Sequence, residues 1–256
     1  MKTAVIIGGG AVGLSVAYHL SCRGARNVVL LERHQLTSGT SWHAAGIVGP
    51  LRATPNMTQL AMYAHECFTT LEKKTGLSTG YKRTGGYWLA RKAERMDELK
   101  RIVALGNHFG LNCEVLSAKQ LSDELPFLDV AEHAGGIRVA EDANVNPVDL
   151  CMAYAKAARD NGVQIRENCE VADIVVESGQ VNGVRLADGT VIDTDTVALC
   201  AGAWSKPLEA GAGLDLPLQA VEHMYVVTEP VNTAPKASHR SCRTEVCKNL
   251  PAFCCL

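Results

Sequence analysis

Three glycines, a carboxylate and one histidine hold most of the chemistry this sequence offers. In "TAVIIGGGAVGLSVAYHL", Gly8, Gly10 and Gly13 stand as G-x-G-x-x-G. The first glycine permits a tight turn, the second lets the backbone approach a pyrophosphate, and the third lets a helix pack closely on a strand. Phosphates would sit at the helix N-terminus, where free N–H groups and the helix dipole favour an anion. A second apolar run, "NVVLLE", ends in Glu32, about 20 residues beyond the glycines, the spacing of a ribose-binding carboxylate. NAD and FAD both fit these residues. Further on, "TSGTSWHAAGIVG" sets Trp42 and His43 in a run of Gly, Ala, Ser and Thr. Small residues let a backbone come close to something bulky. His43 is then either a loop residue without a task or a group that touches whatever comes close.

The elements that must position these residues can be read from the pattern. Ala4 to Ile7 form a buried parallel strand, followed by a helix-period segment. "YKRTGGYWLA" reads as a strand pair edge, "KAERMDELKRIVALGNHFG" as a helix ending at Gly110, "CEVLS" as a strand, and "AKQLSDELPFL" as a short helix stopped near Pro126. This mixture interrupts the β-α-β alternation and marks an inserted second domain. Asn146 is a candidate N-cap with Pro147 at the first helical position, and Gly162 is a stop signal. A meander follows, with turns at Ser178-Gly179 and Asp188-Gly189, and "TVALCAG" returns to a buried parallel strand. The fold class expected is α/β: a Rossmann-like nucleotide-binding domain at 1–80 and 141–217, with an interleaved α+β domain at 81–140 and 218–230. The tail, 231–256, reads as irregular.

Composition narrows the class. The chain has 256 residues, 47% hydrophobic and 20% charged, with a net charge of −2 and no basic stripe. Nucleic acid and a membrane surface are therefore not expected as partners. No apolar run reaches the length of a membrane span. Of ten cysteines, six are scattered through the body and read mostly as small buried hydrophobes, while four crowd the end in no common zinc spacing. No metal site is expected, and a reducing compartment is. "TAVIIGGG" almost at the start leaves no visible targeting peptide, so the expected location is the cytoplasm, or the mitochondrial matrix in a eukaryote.

Five segments together carry a resemblance: "VIIGGGAVGLSVAYHL...LLER", "SGTSWHAAGIVG", "EDANVNPVDL", "VALCAGAWS" and "VEHMYVVTEP". The chain resembles the sarcosine and dimethylglycine dehydrogenase family, within the glycine oxidase and D-amino-acid oxidase class of FAD-dependent flavoproteins, which implies a Rossmann-like FAD-binding domain with an interleaved, incomplete α+β substrate domain. The similarity runs from Met1 to about Pro230. In that family the His of "W-H-A-A-G" carries the flavin covalently through its 8α carbon, and the matching residue is His43. The imidazole must be neutral to act as a nucleophile there. The resemblance further implies Glu32 at the adenosine ribose with Arg33 beside it, the Val171 backbone at the adenine, and Gly202 against the pyrophosphate or ribityl chain. Gly202 is expected where a side chain would not fit.

The chemistry implied is oxidation of a small N-methyl amino acid such as sarcosine or dimethylglycine. The electrons would pass to an electron-transfer flavoprotein or to oxygen. His223 and Tyr225 lie two residues apart, on one face of a strand, and are candidates to face the substrate and relay a proton. Arg52, after the flavin loop, is a candidate to hold the substrate carboxylate by a bidentate pair. Two alternatives stand beside the enzyme. One is a non-catalytic regulatory homologue of the pyruvate dehydrogenase phosphatase type. The other is an inactive truncated flavin-binding fragment, since the family's chains are much longer and the tail does not resemble their continuation.

Overall fold

The computed structural model describes residues 3–126 and 128–221, together with the backbone of 241–243. The chain begins β1 (Thr3–Ile7), α1 (Ala11–Cys22), β2 (Val28–Leu31), β3 (Ile47–Val48), α2 (Pro55–Thr75), β4 (Lys82–Arg83) and β5 (Gly86–Ala90). It continues α3 (Ala93–His108), β6 (Cys113–Leu116), α4 (Ala118–Glu124), β7 (Gly135–Val139), β8 (Ala143–Asn144), α5 (Pro147–Asp160) and β9 (Gln164–Arg166). It closes with β10 (Val171–Glu177), β11 (Gln180–Leu186), β12 (Val191–Leu199), α6 (Ser205–Gly211) and β13 (Ser241–Arg243).

The main sheet has the order β10-β11-β12-β1-β2-β9. β1 pairs in parallel with both β2 and β12, and β2 in parallel with β9. The apolar residues of β1 explain this central place. Ile6 joins the core beneath α1, α2 and α5 with Leu14, Ala17, Phe68 and Tyr154. Val5 and Ile7 point the other way, into a core with Ile174, Val184 and Leu186 from the meander. A strand buried on both faces reads as a continuous apolar run, as "AVII" does. Each fully buried aliphatic side chain stabilises this packing by roughly 1.5–3 kcal/mol. β12 serves two sheets of pairing: its first residues pair antiparallel with β11, and Thr194 to Leu199 pair parallel with β1.

A second sheet, β13-β5-β7-β6, is mostly antiparallel. Leu99 and Val103 of α3 pack on one side with Ile137 and Val139, and α4 covers Tyr87 and Leu89 on the other with Leu121 and Leu125. Arg138 binds Glu114 at 2.7 Å and Glu124 at 3.3 Å, and Tyr87 donates to Glu124 from the buried side. The three residues Ser241–Arg243, inside the segment read as irregular, add a parallel strand to β5. A small sheet, β3-β8-β4, joins residues on both sides of that second sheet in sequence.

Local signals set the helix ends. The Asn146 side chain accepts from the N–H groups of Val148 and Asp149, with Pro147 at the first helical position. Ser117 and Gln120 complete a capping box on α4. α2 has Thr54 as N-cap, Pro55 after it, and Gly76 at φ 69 as a left-handed stop. No helix among the described residues is long and apolar enough to cross a membrane.

Candidate functional site: a dinucleotide cradle

The candidate site lies at the C-terminal end of β1, where the chain turns into α1. Gly8 has φ +112, and a Cβ there would run into the Cys200 carbonyl. A Cβ at Gly13 would overlap the carbonyl oxygen of Gly8, so helix and turn are in direct backbone contact. A Cβ at Gly10 would come to 2.9 Å from Ser41 Oγ. Gly8 and Gly13 thus make the tight turn and the close helix packing of the motif, and Gly10 lies against Ser41. α1 starts without a side-chain cap from Gly10 and with no acidic residue in its first turn. The first turn of such a helix keeps N–H groups suited to an anion.

Three loops converge on this turn. Glu32, at the end of β2, accepts the Gly9 N–H at 2.7 Å through one carboxylate oxygen and the His34 N–H at 3.0 Å through the other. A carboxylate has about four acceptor positions, so it can still receive hydroxyl donors. The Thr37 N–H donates to the Gly9 carbonyl at 3.1 Å, and Thr37 itself is buried at φ 70. That left-handed conformation is a strained one for a β-branched residue. Ser41 donates no cap of its own helix but accepts the Ala11 N–H at 3.0 Å. The segment leading to Val171 reaches the same place, because the Cys169 N–H donates to the Glu32 carbonyl at 2.8 Å and the Asn168 N–H to that of His34 at 2.9 Å. Val171 is buried and opens β10.

His43 ends a short 3-10 turn, Ser41–His43, and is exposed. The rings of Trp42 and His43 stack with centroids 3.6 Å apart. The small residues of this loop have more than one cause. Gly46, at φ +70, lies so close to the Val145 carbonyl that a Cβ would overlap it. Its lack of a side chain is demanded by packing within the chain. Gly202 differs from Gly46 in what surrounds it. Nothing lies within 4 Å of where its Cβ would be, and its φ of +56 is the reason for glycine. Arg33 lies over the Trp204 ring, 4.3 Å from its centroid.

Arg52 is fixed through its backbone: its N–H donates to Thr58 Oγ1 at 3.1 Å, and Thr58 Oγ1 donates back to its carbonyl at 3.3 Å. Near it lies a group that the spacing alone does not reveal. His65 of α2 is 6% exposed and its Nδ1 lies 2.9 Å from the Tyr81 hydroxyl. Its Nε2 has no hydrogen-bond partner among the described residues. Burial first, then the charges of Arg83 and Arg52, push its pKa down to about 4. His223 and Tyr225 lie outside the described residues. Two cavities, of about 500 and 370 Å³, lie at the second sheet and its neighbouring elements, and the glycine turn lines neither.

His65 makes a testable contribution to stability. An unfolded His titrates near 6.5, so between there and about pH 4 the unfolded chain binds a proton that the folded chain does not. Stability from this group is complete above pH 6.5 and is lost as pH falls toward 4, by up to about 3 kcal/mol, at 1.36 kcal/mol per pKa unit. Denaturant titrations at pH 7.5 and 4.5 are expected to show a smaller acid loss for His65→Gln than for the wild type. An equal loss in both would exclude the assignment.

The fold and cradle define the class: an α/β protein with a dinucleotide-type glycine turn at the end of β1. The described glycines, helix end and Glu32 fit an adenine dinucleotide. A family model, "FAD dependent oxidoreductase", matches residues 3–251. The chain belongs to this family of FAD-dependent oxidoreductases. It is 38% identical over 230 residues to 4-methylaminobutanoate oxidase (formaldehyde-forming) of Paenarthrobacter nicotinovorans, covering 90% of this chain and 28% of that one. It is 38% identical over 235 residues to mitochondrial sarcosine dehydrogenase of Homo sapiens, covering 89% and 25%. It is 39% identical over 231 residues to the mitochondrial pyruvate dehydrogenase phosphatase regulatory subunit of Mus musculus, covering 90% and 26%. Among solved structures it is similar to glycine oxidase from Geobacillus kaustophilus, with a TM-score of 0.73 and 28% identity over 84% of this chain and 59% of that one. The chain spans about a quarter of the length of these three curated relatives.

Proposed function

We propose that this chain is the FAD-holding part of an oxidoreductase that demethylates a small N-methyl amino acid, such as sarcosine or dimethylglycine. The observation that carries the proposal is the exposed His43, held on a loop whose Thr37 and Ser41 are hydrogen-bonded to the glycine turn itself. A nicotinamide site has no use for a histidine presented in this way. When bound, FAD supplies a two-electron acceptor for an amine C–H bond. Gly8, Gly10 and Gly13 admit its pyrophosphate, Glu32 receives the ribose hydroxyls, and Gly202 leaves room at the end of β12. Val171 lies at the adenine and His43 is the covalent anchor. Arg52 is proposed to hold the substrate carboxylate, with His223 and Tyr225 on the strand that walls the substrate. The electrons pass on to an electron-transfer flavoprotein or to oxygen. The similarity to a formaldehyde-forming oxidase supports the N-methyl substrate class.

A regulatory, non-catalytic homologue is the second reading, favoured by the 39% identity to the mouse phosphatase subunit. The visible spectrum of the purified protein tests the first reading. Flavin bands are expected, and part of the absorbance should stay with the chain after acid precipitation. Anaerobic addition of sarcosine or dimethylglycine to the whole protein should bleach those bands. A protein without flavin absorbance would reject the first reading, and an unbleached flavin would favour the second.

A further inference from the structure

Trp204 stands where a large exposed apolar side chain needs a reason. It ends a 3-10 turn, Gly202–Trp204, directly after β12, and its side chain belongs to a residue 41% exposed. One side of its ring meets the Arg33 guanidinium, 4.3 Å from the centroid. The ring also faces the loop leading to His43, since a Cβ at Gly39 would sit 3.4 Å from Trp204 Cζ3. One indole at the end of β12 is therefore joined to the end of β2 and to the loop that follows it, far away in sequence.

Their placement in the sheet gives this contact its meaning. β12 and β2 flank β1 on opposite sides. Arg33 follows β2, Trp204 follows β12, and the glycine turn follows β1 between them. Strands two apart are separated by about 10 Å, and the Arg33–Trp204 contact bridges that gap across the mouth of the cradle. Among the described residues Arg33 makes no ion pair or hydrogen bond, and the indole is its partner. Stacking on an aromatic face leaves the N–H edges of a guanidinium available to phosphate oxygens. The indole also keeps water from one side of that charge, which strengthens its pull on an anion.

We propose that Arg33 and Trp204 form a clip that closes over the adenosine-diphosphate half of the dinucleotide and sets how long it stays before it is covalently fixed. This rests on the FAD-binding reading above. Trp204 is a positioning residue: it acts by holding Arg33 and the His43 loop together, and the clip must open for the nucleotide to enter or leave.

The test uses the 256-residue chain and the fluorescent nucleotide 1,N6-etheno-ADP, which carries no flavin and so cannot become covalently attached. Its release is timed by stopped-flow after a chase with ADP. Trp204→Ala is expected to speed release about tenfold. Trp204→Phe, which keeps an aromatic face, should stay within about threefold of the wild type. Arg33→Gln should speed release and flatten its dependence on salt, because one phosphate contact is lost. The double variant should be no worse than the more damaged single one, since both changes break one contact. Release from Trp204→Ala at the wild-type rate would overturn the clip, as would equal losses in the Ala and Phe variants or additive losses in the double variant. If Trp204→Ala fails to fold by circular dichroism, Trp204→Phe and Arg33→Gln decide. A folded wild-type chain that takes up neither etheno-ADP nor FAD would overturn the FAD-binding reading as well. Wild-type binding with unaffected variants would overturn the clip alone.

Discussion

His43→Ala is expected to leave a folded chain that binds FAD and releases all of it on denaturation. The residue ends a three-residue turn and is exposed, with the Trp42 ring against its own. Removing an exposed imidazole costs little stability, usually within about 0.5 kcal/mol. The anchoring contacts of the loop, Thr37 to Gly9 and Ser41 to Ala11, do not involve its side chain. The covalently held part of the flavin should therefore fall to none, while the native protein stays yellow. The measurement is flavin fluorescence of the acid-precipitated chain in a denaturing gel, with circular dichroism as the check on folding. Fluorescence persisting on the His43→Ala chain would place the anchor elsewhere.

Gly13→Ala should damage both fold and binding. The new methyl group would occupy the place of the Gly8 carbonyl oxygen, and Gly8 cannot give way because its own position abuts the Cys200 carbonyl. α1 must then lift from the turn, although Leu14, Ala17 and Tyr18 tie it to the core. Overpacking of this kind costs about 1–3 kcal/mol. Moving the helix end also takes its N–H groups from the phosphates, and FAD affinity should fall about 100-fold, equivalent to about 2.7 kcal/mol. Gly24→Ala is the control. Gly24 has φ +85 with nothing within 4 Å, so backbone strain is added away from the cradle. It should lower the melting temperature yet leave FAD affinity unchanged in calorimetry. Unchanged affinity in Gly13→Ala would show that α1 does not hold the phosphates.

The readable parts of this protein share one property: their physics is contained in neighbouring residues. The strand–glycine–helix turn, the Asn146-Pro147 start of α5, and the hairpin turns at Ser178-Gly179 and Asp188-Gly189 all follow from local backbone freedom, capping and alternation. α2 carries equally local end signals in Thr54-Pro55 and Gly76, yet its body is blurred. Met57, Leu60 and Tyr63 are each about half exposed or more, so its apolar stripe does not stand out.

By itself, then, the sequence determined the α/β class, the dinucleotide turn, the candidate carboxylate Glu32 and the histidine to watch. Only the tertiary structure decided what those residues meet. Glu32 is shown gripping Gly9, Ser41 serves the start of α1, and Gly46 yields to the Val145 carbonyl. His65 loses its proton affinity to burial and to charges on other segments, and Arg33 finds its partner in Trp204. Periodicity states which face of an element is apolar, but not which element will cover it. Strand order, β12 and β2 on either side of β1, follows from how the apolar faces pack, and it is that order which brings distant residues to one edge. Charges and ring contacts then act through space, over distances that bear no relation to separation along the chain.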